Sequence, residues 1–93
     1  MPPPHWEPST DKHGVPRQDQ IYAMLHATFI DEIETKPNGD VIVLYIGPEH
    51  SQTDREVEVL VRKPARRRAE ASVFHAMALG PKFRRYREDS RND

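Results

Sequence analysis

The stretch Asn38-Gly39-Asp40-Val41-Ile42-Val43-Leu44-Tyr45-Ile46 decides the fold of this chain. Its second part is apolar on both alternating faces, which is typical of a central strand covered on both sides, and Gly47-Pro48 is expected to end that strand. The Asn-Gly pair accepts positive φ and favours a tight turn over residues 36–40. The sequence therefore predicts a hairpin whose second strand spans residues 41–46.

The segments on either side of this strand predict two more strands. Residues 28–35 are rich in β-forming side chains, and residues 56–61 alternate, with Val57, Val59 and Val61 facing the core. Carboxylates alternate along the same two segments and are expected to face solvent. They are Glu32, Glu34, Glu56 and Glu58.

A helix is predicted over residues 16–27, because Pro16 suits the first helical position and Asp19 suits the positively polarised first turn. Tyr22 and His26, four residues apart, share a face that forms either an interface or a solvated edge. The apolar stripe at helical spacing consists of Ile21, Met24, Leu25, Thr28 and Phe29.

The two ends of the chain are less regular. Residues 1–15 are rich in proline and are interpreted as a flexible arm, which Trp6 is expected to dock onto the domain. Residues 64–80 fit a helix or a strand about equally, the strand placing an arginine-rich loop at the tip of a hairpin. A short basic helix over residues 81–86 and a disordered tail over residues 88–93 are expected to follow.

Length and composition limit the possibilities further. With 93 residues, the chain is predicted to form a single small domain over residues 16–87. An apolar fraction of 35% indicates a thin core, and the absence of cysteine excludes disulfides and thiolate metal sites. Because no secretion signal and no apolar run of about 18 residues is present, we expect a soluble cytoplasmic protein without a membrane partner.

Charge is distributed unevenly along the chain. Residues 62–87 contain nine Lys and Arg against one Glu, a net charge of +8, so the remainder carries −9 to give the total of −1. Phe83 and Tyr86 lie among these cations, a combination suited to phosphate contact and base stacking. The segment points to a nucleic acid or an acidic partner, unless acidic segments of the chain simply neutralise it.

The five histidines show no spacing typical of metal ligands, so neither a metal nor another cofactor is predicted. His75 differs from the others because it lies in an apolar stretch just before the basic C-terminal cluster. An imidazole there either moves a proton near neutral pH or forms a backbone hydrogen bond within the core.

Two groups of residues resemble BrnT-like toxins of type II toxin–antitoxin systems, which belong to the wider group of RelE-like ribonuclease toxins. The first is Trp6-Glu7-Pro8 followed by Lys12-His13-Gly14-Val15 and an amphipathic helix. The second is His75-Ala76-Met77 followed by Pro81-Lys82-Phe83-Arg84-Arg85-Tyr86. The resemblance covers roughly residues 5–86.

This resemblance implies a RelE-like α+β fold, in which an N-terminal helix packs on an antiparallel sheet of about four strands and a short C-terminal helix follows. Residues 71–78 would form the last strand. The implied activity is RNA cleavage without a metal, inhibiting translation. The implied partners are a cognate antitoxin, mRNA, operator DNA reached only through the antitoxin, and a second copy in a homodimer.

The implied site combines proton transfer with binding of phosphate. His75, His13, Arg84 and Arg85 are the candidate catalytic residues. The candidates for binding RNA are Arg62, Arg66, Arg67, Arg68, Lys82, Phe83 and Tyr86. For Lys12 and His13 the alternative is structural, with the histidine fixing the turn before the helix and Gly14 supplying backbone freedom.

Met77 departs from the family pattern, because many members have an arginine at that point of the last strand. A non-catalytic interaction module of the same fold is therefore an alternative. A plain nucleic-acid-binding domain is another, in which basic residues would spread along one face rather than converge with His75 in a cleft.

Overall fold

The computed structural model describes residues 4–66 and 69–91, and it contains the predicted hairpin at its centre. Gly39 has a φ of 93°, and its N–H donates to the carbonyl of Lys36 at 2.9 Å. The Lys36 N–H in turn donates to the carbonyl of Asp40 at 2.7 Å. The Asn-Gly turn thus closes the hairpin because glycine adopts the left-handed backbone conformation that the turn requires.

The described residues form five strands and two α-helices around this turn. The strands are β1 (His5–Trp6), β2 (Phe29–Thr35), β3 (Val41–Pro48), β4 (Glu56–Lys63) and β5 (Ser72–Ala78); the helices are α1 (Arg17–Leu25) and α2 (Pro81–Arg91). The strands form one sheet in the order β1-β5-β4-β3-β2, antiparallel throughout except that β1 runs parallel to β5. The α+β class is confirmed, and the four antiparallel strands gain a fifth, parallel one.

Each face of the sheet is covered by a different helix. On the α1 face, Ala23 packs into a cluster formed by the valines of β4 and by Val73 of β5. On the α2 face, Leu79 and Phe83 pack against Leu44 and Ile46 of β3. Strand β3 therefore buries side chains on both faces, as its uninterrupted apolar run predicts.

Strand β3 runs two residues beyond its predicted end, so the expectation that Gly47-Pro48 stops it is wrong. Gly47 pairs with Val57, and Pro48 pairs with Glu56 at the end of the ladder. A Cβ at position 47 would collide with the carbonyl oxygen of Ala23. Glycine is needed there because the backbone of α1 lies directly against the strand.

The N-terminal arm is part of the folded domain from Pro4 onward. Trp6 docks it as expected, since the indole N–H donates to the side-chain oxygen of Gln20 at 2.9 Å. Gln20 is itself buried and donates to the carbonyl of Val15 at 2.9 Å. These bonds, with the pairing of β1 to β5, fix residues 4–15 of the segment expected to be a flexible arm, and residues 1–3 lie outside the described residues.

The ambiguous segment 64–80 contains β5, preceded by a loop that carries Arg66. Alanine favours a helix locally, but pairing with β4 buries Val73 and Ala76 completely, and such tertiary burial outweighs local propensity. The arginine-rich loop therefore connects two antiparallel strands. None of the helices in the described part of the chain is long and apolar enough to cross a membrane.

Helix α2 continues past its predicted end at residue 86, through the first residues of the expected disordered tail. The Arg87 guanidinium donates to both carboxylate oxygens of Glu56, at 2.6 and 3.1 Å, which raises the pKa of Arg87. The Tyr86 hydroxyl donates to Asp31 of β2 at 2.5 Å. These side chains hold the helix to β4 and β2, which explains its extra length.

Replacement of Gly47 by alanine tests the contact between α1 and β3. We expect Gly47→Ala to lower the free energy of unfolding by about 1–3 kcal/mol, since a backbone rather than a flexible side chain must move. Gly80→Ala is the matched control, because its Cβ would meet only side-chain atoms, at 3.5 Å or more. Urea unfolding followed by circular dichroism measures both. Equal losses of unfolding free energy in Gly47→Ala and Gly80→Ala would contradict the close approach of α1 to β3.

Because of its hydrogen bond to Asp31, the Tyr86 phenol should ionise at a higher pH than an ordinary tyrosine. The hydrogen bond to the Asp31 carboxylate is the largest cause that raises the pKa of Tyr86 above its ordinary 10.0, and desolvation is the next. The stability that this bond contributes is present below pH 10.0 and is lost as the pH rises through the higher pKa of the folded state. In a pH titration followed by phenolate absorbance, one of the three tyrosines should ionise at a higher pH in the wild type than in Asp31→Asn. Superimposable titrations would contradict the bond.

Candidate active site

The candidate site is centred on His75 in β5, which faces Glu58 of β4. The imidazole Nε2 lies 2.8 Å from Glu58 Oε2. The other carboxylate oxygen, Oε1, accepts the N–H of Gly80 at 2.9 Å, just before α2 begins. Only 5% of the Glu58 side chain is exposed, against 24% of that of His75. A buried carboxylate thus holds a partly accessible imidazole in one orientation.

The expectation that Glu58 faces solvent is wrong. Glu58 lies on the α2 face of the sheet, opposite Val57 and Val59, as the strand alternation requires. That face is covered at this point by the chain entering α2, so the carboxylate is buried with partners for both oxygens. Glu32 and Glu34 are exposed, as predicted.

This pairing determines which ring nitrogen of His75 is available. A carboxylate accepts a hydrogen bond, so Nε2 carries the proton and Nδ1 of the neutral ring is left with a free lone pair. The Glu58–His75 pair can therefore act as a general base and return the proton as a general acid.

His13 lies beside His75, in an edge-to-face contact with the ring centroids 5.5 Å apart and the planes inclined by 72°. It is carried by the turn between the 3-10 helix Pro8–Asp11 and α1. Gly14, with a φ of 71°, redirects the chain directly after it, and the Ser9 hydroxyl ties the 3-10 helix to the carbonyl of Phe74 at 2.5 Å. His13 is exposed, so the site contains a second, solvent-accessible imidazole.

Arg62 provides a cation on the same face of the sheet. It pairs with Ser72 across β4 and β5, and its Cζ lies 5.5 Å from the ring centroid of Phe74. A break in the strand register between Leu60 and Val61 accommodates Phe74 as an extra residue of β5 next to His75. The cluster thus combines two imidazoles, a buried carboxylate, an exposed guanidinium and a half-buried aromatic ring.

The remaining candidates do not converge on this cluster. Lys82, Arg84 and Arg85 are exposed on α2, and no hydrogen bond or ion pair among the described residues connects them to His75. Arg66 is exposed in the β4–β5 loop, whereas Arg67 and Arg68 lie outside the described residues.

The two aromatic residues proposed for stacking have structural contacts. Phe83 is 7% exposed and belongs to the core cluster of the α2 face. Tyr86 is half-buried, lies edge-to-face against Phe29 and donates to Asp31. Phe74, which sequence reasoning did not single out, is the aromatic ring beside the imidazole cluster.

The comparisons with known proteins add no relative. No family model, no curated protein and no solved structure matches this chain. Across residues 4–66 and 69–91, no group of three His, Asp or Glu side chains is placed to hold a metal ion.

Substitution of Glu58 tests the central contact of this cluster. Glu58→Ala leaves the Gly80 N–H and the imidazole without a buried partner, and we expect it to lower the free energy of unfolding by about 2–4 kcal/mol. Glu58→Gln retains a carbonyl oxygen and should cost about half as much. Glu32→Gln, at an exposed position on β2, is the control, with an expected change within about 0.5 kcal/mol.

A second readout separates orientation from stability. In the wild type, nitrogen NMR shifts of the neutral His75 ring should show the proton on Nε2. The amide of Glu58→Gln can donate as well as accept, so the two tautomers should become mixed. An unchanged tautomer in Glu58→Gln would show that Glu58 does not orient the ring.

Proposed function

We propose that this protein is a ribonuclease of the BrnT-like toxin kind, which cleaves RNA at the Glu58–His75–His13 cluster. The observation that carries the proposal is the contact between two imidazoles, one of them backed by a buried carboxylate. Cleavage of RNA through its own 2′-hydroxyl needs a base, an acid and a cation at the phosphate. The cluster with Arg62 supplies these three groups.

The proposed reaction is a transesterification within the RNA strand. Nδ1 of His75 takes the proton of the ribose 2′-hydroxyl, whose oxygen attacks the adjacent phosphorus. The bond from phosphorus to the 5′-oxygen of the next nucleotide breaks, and protonated His13 donates a proton to that oxygen. The products are a 2′,3′-cyclic phosphate and a 5′-hydroxyl end, and Arg62 stabilises the charge that develops on the phosphoryl oxygens.

The surroundings of the cluster support single-stranded RNA as the substrate. DNA lacks the 2′-hydroxyl that acts as the nucleophile. Phe74 offers part of an aromatic ring beside Arg62, a combination on which an unstacked base can lie. In this proposal Lys82, Arg84 and Arg85 contribute attraction for the RNA backbone from α2, rather than chemistry.

The biological part of the proposal follows the sequence resemblance. The chain would be the toxin of a type II toxin–antitoxin pair with a RelE-like fold, acting on mRNA in the cytoplasm. A cognate antitoxin would cover the basic surface with an acidic or amphipathic segment and would itself contact operator DNA. The α+β class of the fold supports this assignment, whereas the mixed five-stranded sheet, with β1 ahead of the first helix, departs from the antiparallel sheet that the assignment implies.

A plain nucleic-acid-binding domain is the second candidate, favoured by the separation of Arg84 and Arg85 from His75. Met77 also stands where many BrnT-like proteins have an arginine, and it pairs with Glu58 across the two strands. In that case each basic side chain would contribute modestly to binding, and no single substitution would abolish an activity.

Cleavage of a fluorogenic single-stranded RNA by the purified protein tests the proposal. We expect wild-type protein to produce cyclic phosphate ends and to leave the matching DNA intact. His75→Gln and His13→Ala should each lower kcat by about 100-fold or more, as expected for removal of a general acid or base. His50→Gln, in the turn between β3 and β4, should retain full activity, and circular dichroism should confirm that every variant is folded.

Arg84→Ala/Arg85→Ala separates the two candidate functions. The ribonuclease proposal predicts weaker RNA binding in this double variant but a kcat at saturation close to that of the wild type. Folded wild-type protein that binds RNA without cutting it would refute the ribonuclease and support the binding domain. In a bacterial host, growth arrest with cleaved total RNA should follow induction of the wild type but not of His13→Ala.

A further inference from the structure

Within the described residues, helix α1 packs against β3 and β4, and β2 is the last strand of the sheet. Two large apolar side chains near this edge are well exposed: Leu25, the last residue of α1, is 77% exposed, and Ile30 of β2 is 56% exposed. We call Leu25, Ile30 and Glu32 the α1–β2 surface.

The geometry places these residues on one side of the domain. Ile30 pairs with Tyr45, which packs into the α1-face cluster, so Ile30 projects on the same side of the sheet as α1. Leu25 ends α1, only five residues before Ile30. Tyr22 and His26 stack at 4.1 Å on the flank of α1 away from Arg17, which contacts Trp6 near the opposite edge of the sheet.

The outer edge of β2 offers backbone groups as well as apolar side chains. A strand paired on one side only directs alternate N–H and C=O groups away from its neighbour, and such an edge accepts an added strand. Strand addition obtains affinity from the main chain and specificity from alternate side chains. The α1–β2 surface therefore combines an open edge with apolar anchors.

The charge of strand β2 favours a basic partner strand. Strand β2 carries Asp31, Glu32 and Glu34 and no cation, a net charge of −3, and of these three only Glu32 projects on the α1 face. Asp31 and Glu34 have partners in Tyr86 and Lys36, whereas no hydrogen bond or ion pair of the described residues engages the Glu32 side chain. Full-length antiparallel pairing with a second copy would place Glu32 opposite Glu32, which is unfavourable.

We propose that the α1–β2 surface binds an extended basic segment of a partner protein, which adds a strand to β2. An apolar residue of that segment lies opposite Ile30, and a Lys or Arg two positions away lies opposite Glu32. Both partner side chains then project on the α1 face, where Leu25 completes the apolar contact. This binding site is independent of the ribonuclease proposal, whose surface is basic and lies on the α2 face.

Selection from a displayed library of random 12-residue peptides on the purified full-length protein tests this proposal. We expect the enriched peptides to carry Lys or Arg two positions from Val, Ile or Leu. The most enriched peptide, labelled with fluorescein, should bind at least tenfold more weakly to Glu32→Lys and to Ile30→Lys. Gln52→Lys and Asp54→Lys, at exposed positions between β3 and β4, match the gains of one and two charges in Ile30→Lys and Glu32→Lys and should bind like the wild type.

Hydrogen exchange locates the binding. Addition of the labelled peptide should slow exchange of the amides in residues 29–35. Enrichment of acidic or purely apolar peptides, equal binding to Glu32→Lys, or protection of amides elsewhere would each overturn the proposal. So would concentration-dependent self-association in sedimentation that is abolished by Ile30→Lys, because the surface would then bind a second copy. Cleavage of RNA by these variants reports separately on the proposed function.

Discussion

The buried carboxylate of Glu58 is the constraint on which the rest of this structure depends. It is removed from water, so each of its oxygens needs a hydrogen-bond donor. His75 provides one donor from the neighbouring strand, and Gly80 provides the other from the chain that enters α2. One charged group thereby sets the position of the imidazole, the starting point of α2 and the way in which this helix covers its face of the sheet.

Local patterns in the sequence are sufficient to predict most of the secondary-structure elements. The Asn38-Gly39 turn, the apolar run of β3 and the valine alternation of β4 each indicate an element that the structure contains. The errors arise where tertiary contacts decide. Gly47 resembles a strand terminator, but it is a point of close approach for α1, a helix 22 or more residues away in sequence. No local rule specifies such an approach.

The candidate site likewise combines residues that the sequence indicates with residues that only tertiary contacts reveal. His75 and His13 were recognisable from sequence, but their contact depends on the arm joining the sheet beside β5. Glu58 was misassigned because alternation gives the face of a strand and not what covers that face. Phe74 was missed because it is the extra residue at a register break, which the amino-acid pattern does not show. The uneven distribution of charge is visible in the sequence, but it does not show which of the cations lie beside the imidazoles in the fold.

The parallel pairing of β1 with β5 joins segments from opposite ends of the described chain. His5 pairs with Ser72, so this ladder joins residues much farther apart in sequence than the hairpins of the other strands. Closing so long a loop is entropically costly unless the sheet already exists to receive the strand. Because β1 and the 3-10 helix bring His13 to His75, we expect the two imidazoles to meet late in assembly. Loss of the β1 pairing alone would separate the imidazoles and leave the four antiparallel strands in place.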